Sequence, residues 1–289
     1  MKRFVQYAYY PFLLIATFGI TFGLIRLYPE SAYPFIPISL IVLFSLIFIY
    51  GERRLPFKRE WNGILVDTKA DFLQSFVSLP LASKLAEIVL PFMIYYPLTY
   101  MQEHVGLIDL RKNYGFVAQV VAALVAGEFC YYWFHRATHT LPLLWRLHAV
   151  HHGAKRVYWM NAGRFHFIEI FLVGLAFYIP LAFFQPYPDV TIMIIAISGI
   201  TGFLEHINID FRAGWLNYIF NTAEHHRWHH SNVVKESNTN YGKVLIIWDL
   251  IFGTFFLPKD RVVEEVGTVA DDVPYDFVGQ LKYPFTHKG

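Results

Sequence analysis

Apolar residues fall along this chain in long runs, with little alternation. Residues 9–28, 35–50, 116–134, 167–184 and 190–204 are each almost continuously apolar. A helix that is apolar all round belongs in a membrane or deep in a protein interior. The first two runs are joined by the short link Pro29-Glu30-Ser31-Ala32-Tyr33-Pro34, so they predict a hairpin. Each lies near the lower limit for crossing roughly 30 Å of hydrocarbon. Segment 71–96 is more mixed and predicts a tilted or partly interfacial span, with Lys84 and Glu87 spaced i, i+3 for pairing. Residues 100–114 are polar, and 116–134 is broken only by Glu128. The runs 167–184 and 190–204 are short. They predict either a third hairpin or helices partly inside the protein. The fold class expected is all-α: a polytopic bundle of about four to six spans.

The polar positions orient the bundle. Segment 51–60 is the most basic short loop, and Lys2-Arg3 opens the chain. Positive loops stay on the cytoplasmic side, and a hairpin returns both segments to one side. Counting crossings from there brings residue 135, and later residue 206, to that same face. Lys2-Arg3 ahead of an apolar stretch looks like the start of a signal peptide. Arg26 interrupts that stretch and no small-residue cleavage site follows, so the reading is a retained anchor. Three parts are expected: membrane hairpins over 1–114, a histidine-rich region over 115–260 and a polar tail over 261–289.

Composition agrees. Of 289 residues, 55% are hydrophobic, 19% aromatic and only 16% charged, against about 25% charged in soluble domains. The net charge of +2, with no basic tract, offers nothing to a nucleic acid. The lone cysteine, Cys130, is expected simply to pack in its apolar run. Alone it permits neither an intrachain disulfide nor a thiolate metal cluster.

Histidine changes the picture. His135 and His139, then His148, His151 and His152, then His226, His229 and His230 form three clusters with helical spacing. Side chains at i, i+3 and i+4 share a helix face. A single core histidine is usually structural. Eight of them buried without metal would each need partners for two ring nitrogens, and protonated they would repel one another. Neutral imidazole is a good ligand for iron, zinc and copper. Three such faces exceed what one tetrahedral metal can use, so the simplest reading is two metals close together.

The boxes HxxxH, HxxHH and HxxHH, in this order beside apolar spans, resemble the fatty acid hydroxylase and sterol desaturase superfamily of integral-membrane di-iron oxidases. Residues 223–231, Asn240-Tyr241-Gly242 and the stretch 248–254 share that likeness, which covers about residues 115–257. The resemblance implies that the eight histidines are metal ligands. It also implies a further ligand at His206, in Glu205-His206-Ile207-Asn208. Some members have a histidine four residues later; here Asp210 stands there, either ligating or capping a helix. His166 is expected as a ligand or a support. Glu128, Glu169, Glu205 and Glu224 are candidates to orient ligands, with solvated carboxylates as the plain alternative. His225 points about 100° off the box face and is expected not to ligate. His104 and His287 are expected on the surface.

The resemblance further implies two non-heme irons, replaceable by zinc in an isolated protein, which use O2 and external electrons to hydroxylate or desaturate a lipid. A sterol-like or other polycyclic lipid and a fatty acyl lipid stand level as substrates. No dinucleotide fingerprint, haem-attachment pattern or cysteine cluster is present. A separate donor is therefore implied: cytochrome b5-like, a ferredoxin or a reductase. Arg146, Lys155 and Arg156 are candidates to dock it, although topology or anionic lipid explains them equally. The membrane would be the inner membrane of a bacterium or the endoplasmic reticulum of a eukaryote. Rival readings are a zinc-dependent membrane hydrolase, a metal transporter or sensor, and a scaffold that keeps metal only for folding. Against the first, no HExxH is present. Against the second, the boxes flank the spans, whereas transporter sites sit at mid-membrane.

Overall fold

The computed structural model describes residues 2–104, 114–184 and 187–287. Among these residues the fold is helical, with isolated bridges and no strand. Helices α1 (Lys2–Leu27) and α2 (Phe35–Arg54) form the expected hairpin. The third path is broken into α3 (Thr68–Leu73), α4 (Leu79–Leu90) and α5 (Tyr96–His104), joined by two π-helical turns at Gln74–Ser78 and Pro91–Tyr95. Pro80 explains the first of these turns, because it removes an N–H and crowds the carbonyl four residues back. The Lys84–Glu87 pairing, the heart of the polar 100–114 link and part of the 185–189 link lie outside the described residues and side chains.

Next come α6 (Phe116–Thr140), α7 (Pro142–His152), α8 (Phe167–Phe184), α9 (Pro188–His206), α10 (Ala223–His229), α11 (Val234–Ser237), α12 (Ile247–Phe252) and α13 (Phe277–Thr286). Five segments are long and apolar enough to cross a membrane: Arg3–Leu27, Phe35–Arg54, Thr68–Leu90, Phe116–Thr140 and Pro188–His206. A shorter apolar segment is Phe167–Leu181. The chain thus has the build of a multi-pass membrane protein, within the expected range of spans.

Lipid tails are as apolar as leucine, so close packing holds such a bundle rather than transfer from water. Gly127 shows it: a Cβ there would come within 3.2 Å of the Phe177 ring, so bare backbone lets α8 close on α6. Tyr10 and Leu13 of α1, Phe44 and Phe48 of α2, and Ile194 and Leu204 of α9 pack in one buried cluster.

Three contacts fix which ends meet. Gln6 at the start of α1 donates to Asp210 after α9 at 2.8 Å. Glu52 at the end of α2 accepts from the backbone N–H of Trp159 at 2.8 Å and of Asn208 at 2.9 Å. The basic ends of α1 and α2 therefore share one face with the segments that directly follow α7 and α9, as the crossing count expects. The stretch expected as a polar tail is folded. Tyr283 of α13 packs with Ala149 and Val150 of α7, and Gln74 bonds Gln280 at 3.0 Å.

Candidate metal centre

The first two boxes meet because of a one-residue corner. α6 ends at Thr140, Leu141 is extended, and Pro142 opens α7. Proline at the first helical position has no N–H to lose and arrives with helical φ. The corner folds His148 and His152 back onto His135 and His139. His206 is the last residue of α9. The third box sits on α10, whose start is capped by Thr222: its hydroxyl accepts from Glu224 N at 3.2 Å. His225 completes that cap, its Nδ1 accepting from Thr222 N at 3.3 Å. Burial pushes His225 down to about 3, so it stays neutral and outside the array.

All nine histidines named as ligand candidates come together, in two sets. His135, His139, His148, His152 and His229 form one; His151, His206, His226 and His230 form the other. Within each set the facing ligand atoms lie within 4.8 Å of one another. All are buried except the half-buried His139. The split follows helical geometry: adjacent residues point apart, so His151 and His152 of one box serve different sets, as do His229 and His230.

Hydrogen bonds decide which nitrogen faces inward. Nδ1 of His135 donates to Tyr241 O at 2.7 Å, that of His229 to Thr239 O at 2.8 Å, that of His206 to Gly202 O at 2.9 Å and that of His151 to Arg164 O at 3.2 Å. Nδ1 of His148 meets Glu169 Oε1 at 2.5 Å. A carbonyl or carboxylate only accepts, so each Nδ1 carries the proton and each Nε2 is a bare lone pair. Yet His135 Nε2 and His148 Nε2 lie 3.1 Å apart, as do His206 Nε2 and His151 Nε2. Two lone pairs facing at that distance repel unless a cation answers them. A proton cannot serve: burial first, then the neighbouring rings, hold His148, His151, His152, His226, His229 and His230 well below the ordinary value of 6.5. The donor set therefore fits a pair of metal ions of the imidazole-preferring kind.

Residues 120–254 match the family model described as fatty acid hydroxylase. The likeness to the fatty acid hydroxylase family covers this stretch, just under half of the chain. It runs from the first turns of α6 to just past α12, and so contains all nine histidines. An ornithine lipid hydroxylase of Rhizobium tropici is 44% identical over 172 residues, which is 59% of this chain and 51% of that protein. Human alkylglycerol monooxygenase is 37% identical over 142 residues, 49% of this chain and 32% of that protein. A very-long-chain aldehyde decarbonylase of Oryza sativa is 29% identical over 140 residues, 48% of this chain and 52% of that protein. The chain thus spans about half or less of the length of these relatives. No solved structure matches the chain.

Around the histidines the carboxylates divide. Glu169 orients His148 directly. Glu128 touches no histidine of the array: its Oε2 accepts the backbone N–H groups of Lys243, Val244 and Leu245 at 3.1, 2.9 and 3.1 Å. Glu205 Oε2 stops 3.8 Å from His226 Nδ1, beyond hydrogen-bond reach. Glu224 is turned away, accepting from Ala213 N at 2.7 Å and Asn217 at 2.8 Å.

Three expectations need correction. Asp210 neither joins a set nor caps a helix; Gln6 and Arg212 hold it, the latter at 3.3 Å. His166 lies outside both sets, its Nε2 on Leu281 O at 3.3 Å and its Nδ1 accepting from Ile168 N at 3.3 Å. Arg156 is buried with Asp67 at 3.0 Å and cannot greet a docking partner. Lys155 is paired with Asp271 at 2.5 Å. His104 is exposed and bonds its own helix at Tyr100 O, 2.8 Å away.

The residues missed are supports. Asp249 accepts from Tyr241 N and Gly242 N, both at 2.8 Å. With Glu128 it fixes the loop whose Tyr241 carbonyl holds His135. Asn240 sits at φ 56°, a left-handed conformation that asparagine tolerates. Arg164 donates to Val150 O at 2.9 Å and to Asp71 at 2.9 Å while its own carbonyl holds His151. The Asn240-Tyr241-Gly242 triplet signalled this loop; nothing local in the sequence signalled Arg164.

Proposed function

We propose that the chain is a membrane-bound di-iron oxidase that hydroxylates a C–H bond in the acyl or alkyl chain of a membrane lipid. The observation that carries this reading is the convergence of bare Nε2 lone pairs into two all-histidine sets. The balanced reaction takes the lipid, O2, two electrons and two protons to the alcohol and water. Iron in such a nitrogen shell, with positions left open, supplies activation of dioxygen. The protein's share is positioning. Tyr241, Thr239, Gly202 and Arg164 carbonyls and the Glu169 carboxylate fix the tautomer and angle of five of the nine imidazoles. The apolar spans keep water away and present lipid chains at the level of the site.

Among the described residues neither set contains a carboxylate or a thiolate. Likeness to an ornithine lipid hydroxylase and an alkylglycerol monooxygenase supports hydroxylation over desaturation and an acyl or alkyl chain over a sterol. Arg3, Arg53 and Arg54 lie at the face that carries the histidines, which supports a cytoplasm-facing site. In a bacterium the membrane would be the inner one; in a eukaryote, the endoplasmic reticulum. Electrons come from a separate donor.

The test is lipid analysis of cells expressing the wild type or His151→Ala. A membrane lipid gaining one oxygen in the wild type alone is expected, with metal content lowered in the variant. Identical lipids in both, with metal unchanged, would overturn the reading.

A further inference from the structure

Redox-active rings lead from the metal centre to the protein surface. The Tyr241 ring lies 5.7, 5.3 and 5.9 Å from the His135, His139 and His229 rings. Tyr132 follows, 5.9 Å from Tyr241, and Trp133 stands 5.4 Å beyond it. Tyr132 is fully buried, whereas Trp133 is 42% exposed. The Tyr132 hydroxyl has a directed partner chain. It lies 2.9 Å from Thr254 Oγ1, which donates to Asp249 Oδ1 at 2.6 Å. Arg136 donates to the same phenol oxygen at 3.1 Å and lies over the Trp133 ring at 5.4 Å. The phenol proton therefore points toward a carboxylate.

We propose that Tyr132 and Trp133 form an escape route that discharges the oxidant formed at the metal pair when no lipid is bound. The proposal rests on the oxidase reading. Tyr132 gives one electron across the Tyr241 ring to the oxidant, which is reduced by one. Its phenol proton passes to Thr254 Oγ1 while the Thr254 proton passes to the Asp249 carboxylate. Trp133 then reduces the Tyr132 radical, which recovers its proton along the same path. The oxidising equivalent is left on Trp133 at the surface, where a thiol or quinol refills it. A second passage discharges a two-electron oxidant. Tyrosine and tryptophan yield electrons only to strong oxidants, so the route stays silent until such an oxidant forms. It protects the histidines from oxidation in idle turnover.

The test uses the full-length iron-loaded protein in detergent, without lipid and without added reductant. Hydrogen peroxide serves as the oxidant source and peptide mass spectrometry as the readout. Oxygen gain at Trp133 is expected with iron and not in metal-free protein. Tyr132→Phe is expected to abolish it and move oxidation to the histidine peptides. Thr254→Ala, which keeps both rings, is expected to reduce it. Trp133→Phe is expected to oxidise lipid at the wild-type rate yet inactivate sooner under peroxide. Trp133 labelling that is equal with and without iron, or unchanged in Tyr132→Phe and Thr254→Ala, would overturn the route. A parallel sample with membrane lipid extract separates the claims. Oxygenated lipid with Trp133 never labelled refutes the route alone; neither product refutes the oxidase reading as well.

Discussion

Removing the Glu169 carboxylate should weaken one metal and spare the other. Glu169 and His148 are both buried and meet at 2.5 Å, and His148 belongs to the five-histidine set. The other Glu169 oxygen has no hydrogen-bond partner, so the group's bonding and charge are directed at that imidazole. Loss of such an outer partner typically lowers metal affinity about 10- to 100-fold, or about 1.4 to 2.7 kcal/mol. Glu169→Gln keeps an acceptor and loses the charge, so the lower end is expected; Glu169→Ala loses both and should reach the upper end. A chelator titration with metal analysis would show two steps, the first moved by the variants and the second fixed. Metal release indistinguishable from wild type in Glu169→Ala would refute the reasoning. So would parallel loss of both metals.

Glu128→Ala leaves three backbone N–H groups without their acceptor; at about 1–3 kcal/mol each, thermal unfolding in detergent should show a loss of at least about 3 kcal/mol, and Glu128→Gln should restore part of it. The six buried histidines of boxes two and three stay neutral when folded and take up protons near 6.5 when unfolded. Metal-free protein should therefore hold its stability above pH 6.5 and lose it as the pH falls further, which denaturant titrations on either side of that pH would measure. His104→Ala should leave lipid oxidation at the wild-type rate, checked with the same lipid analysis.

Helical periodicity made the histidine boxes legible, because spacing alone puts the rings of one box on a face. Hydropathy made the spans legible for a similar reason: the bilayer sets their length. Which box residue serves which metal was not legible. It depends on the Leu141-Pro142 corner and on where the fold sets α10, whose His229 meets His152 of α7. Asp210 misled because a motif position says where a residue stands in the chain and not which way its backbone turns after α9. Arg156 misled because a charge near a membrane face looks the same in sequence whether it is buried on Asp67 or exposed. Arg164 and Asp249 act on the site through backbone groups of distant segments, and no local pattern records such contacts. The folded C-terminal helix was hidden because it is short and sits in a stretch that is polar as a whole, and only Gln280, Tyr283 and Pro284 of it are buried.

The most direct measurement is metal stoichiometry and X-ray absorption on the purified, iron-loaded chain. The account predicts two irons per chain, each in a shell of imidazole nitrogen without sulfur. One iron or none, or a shell dominated by oxygen or sulfur, would contradict it.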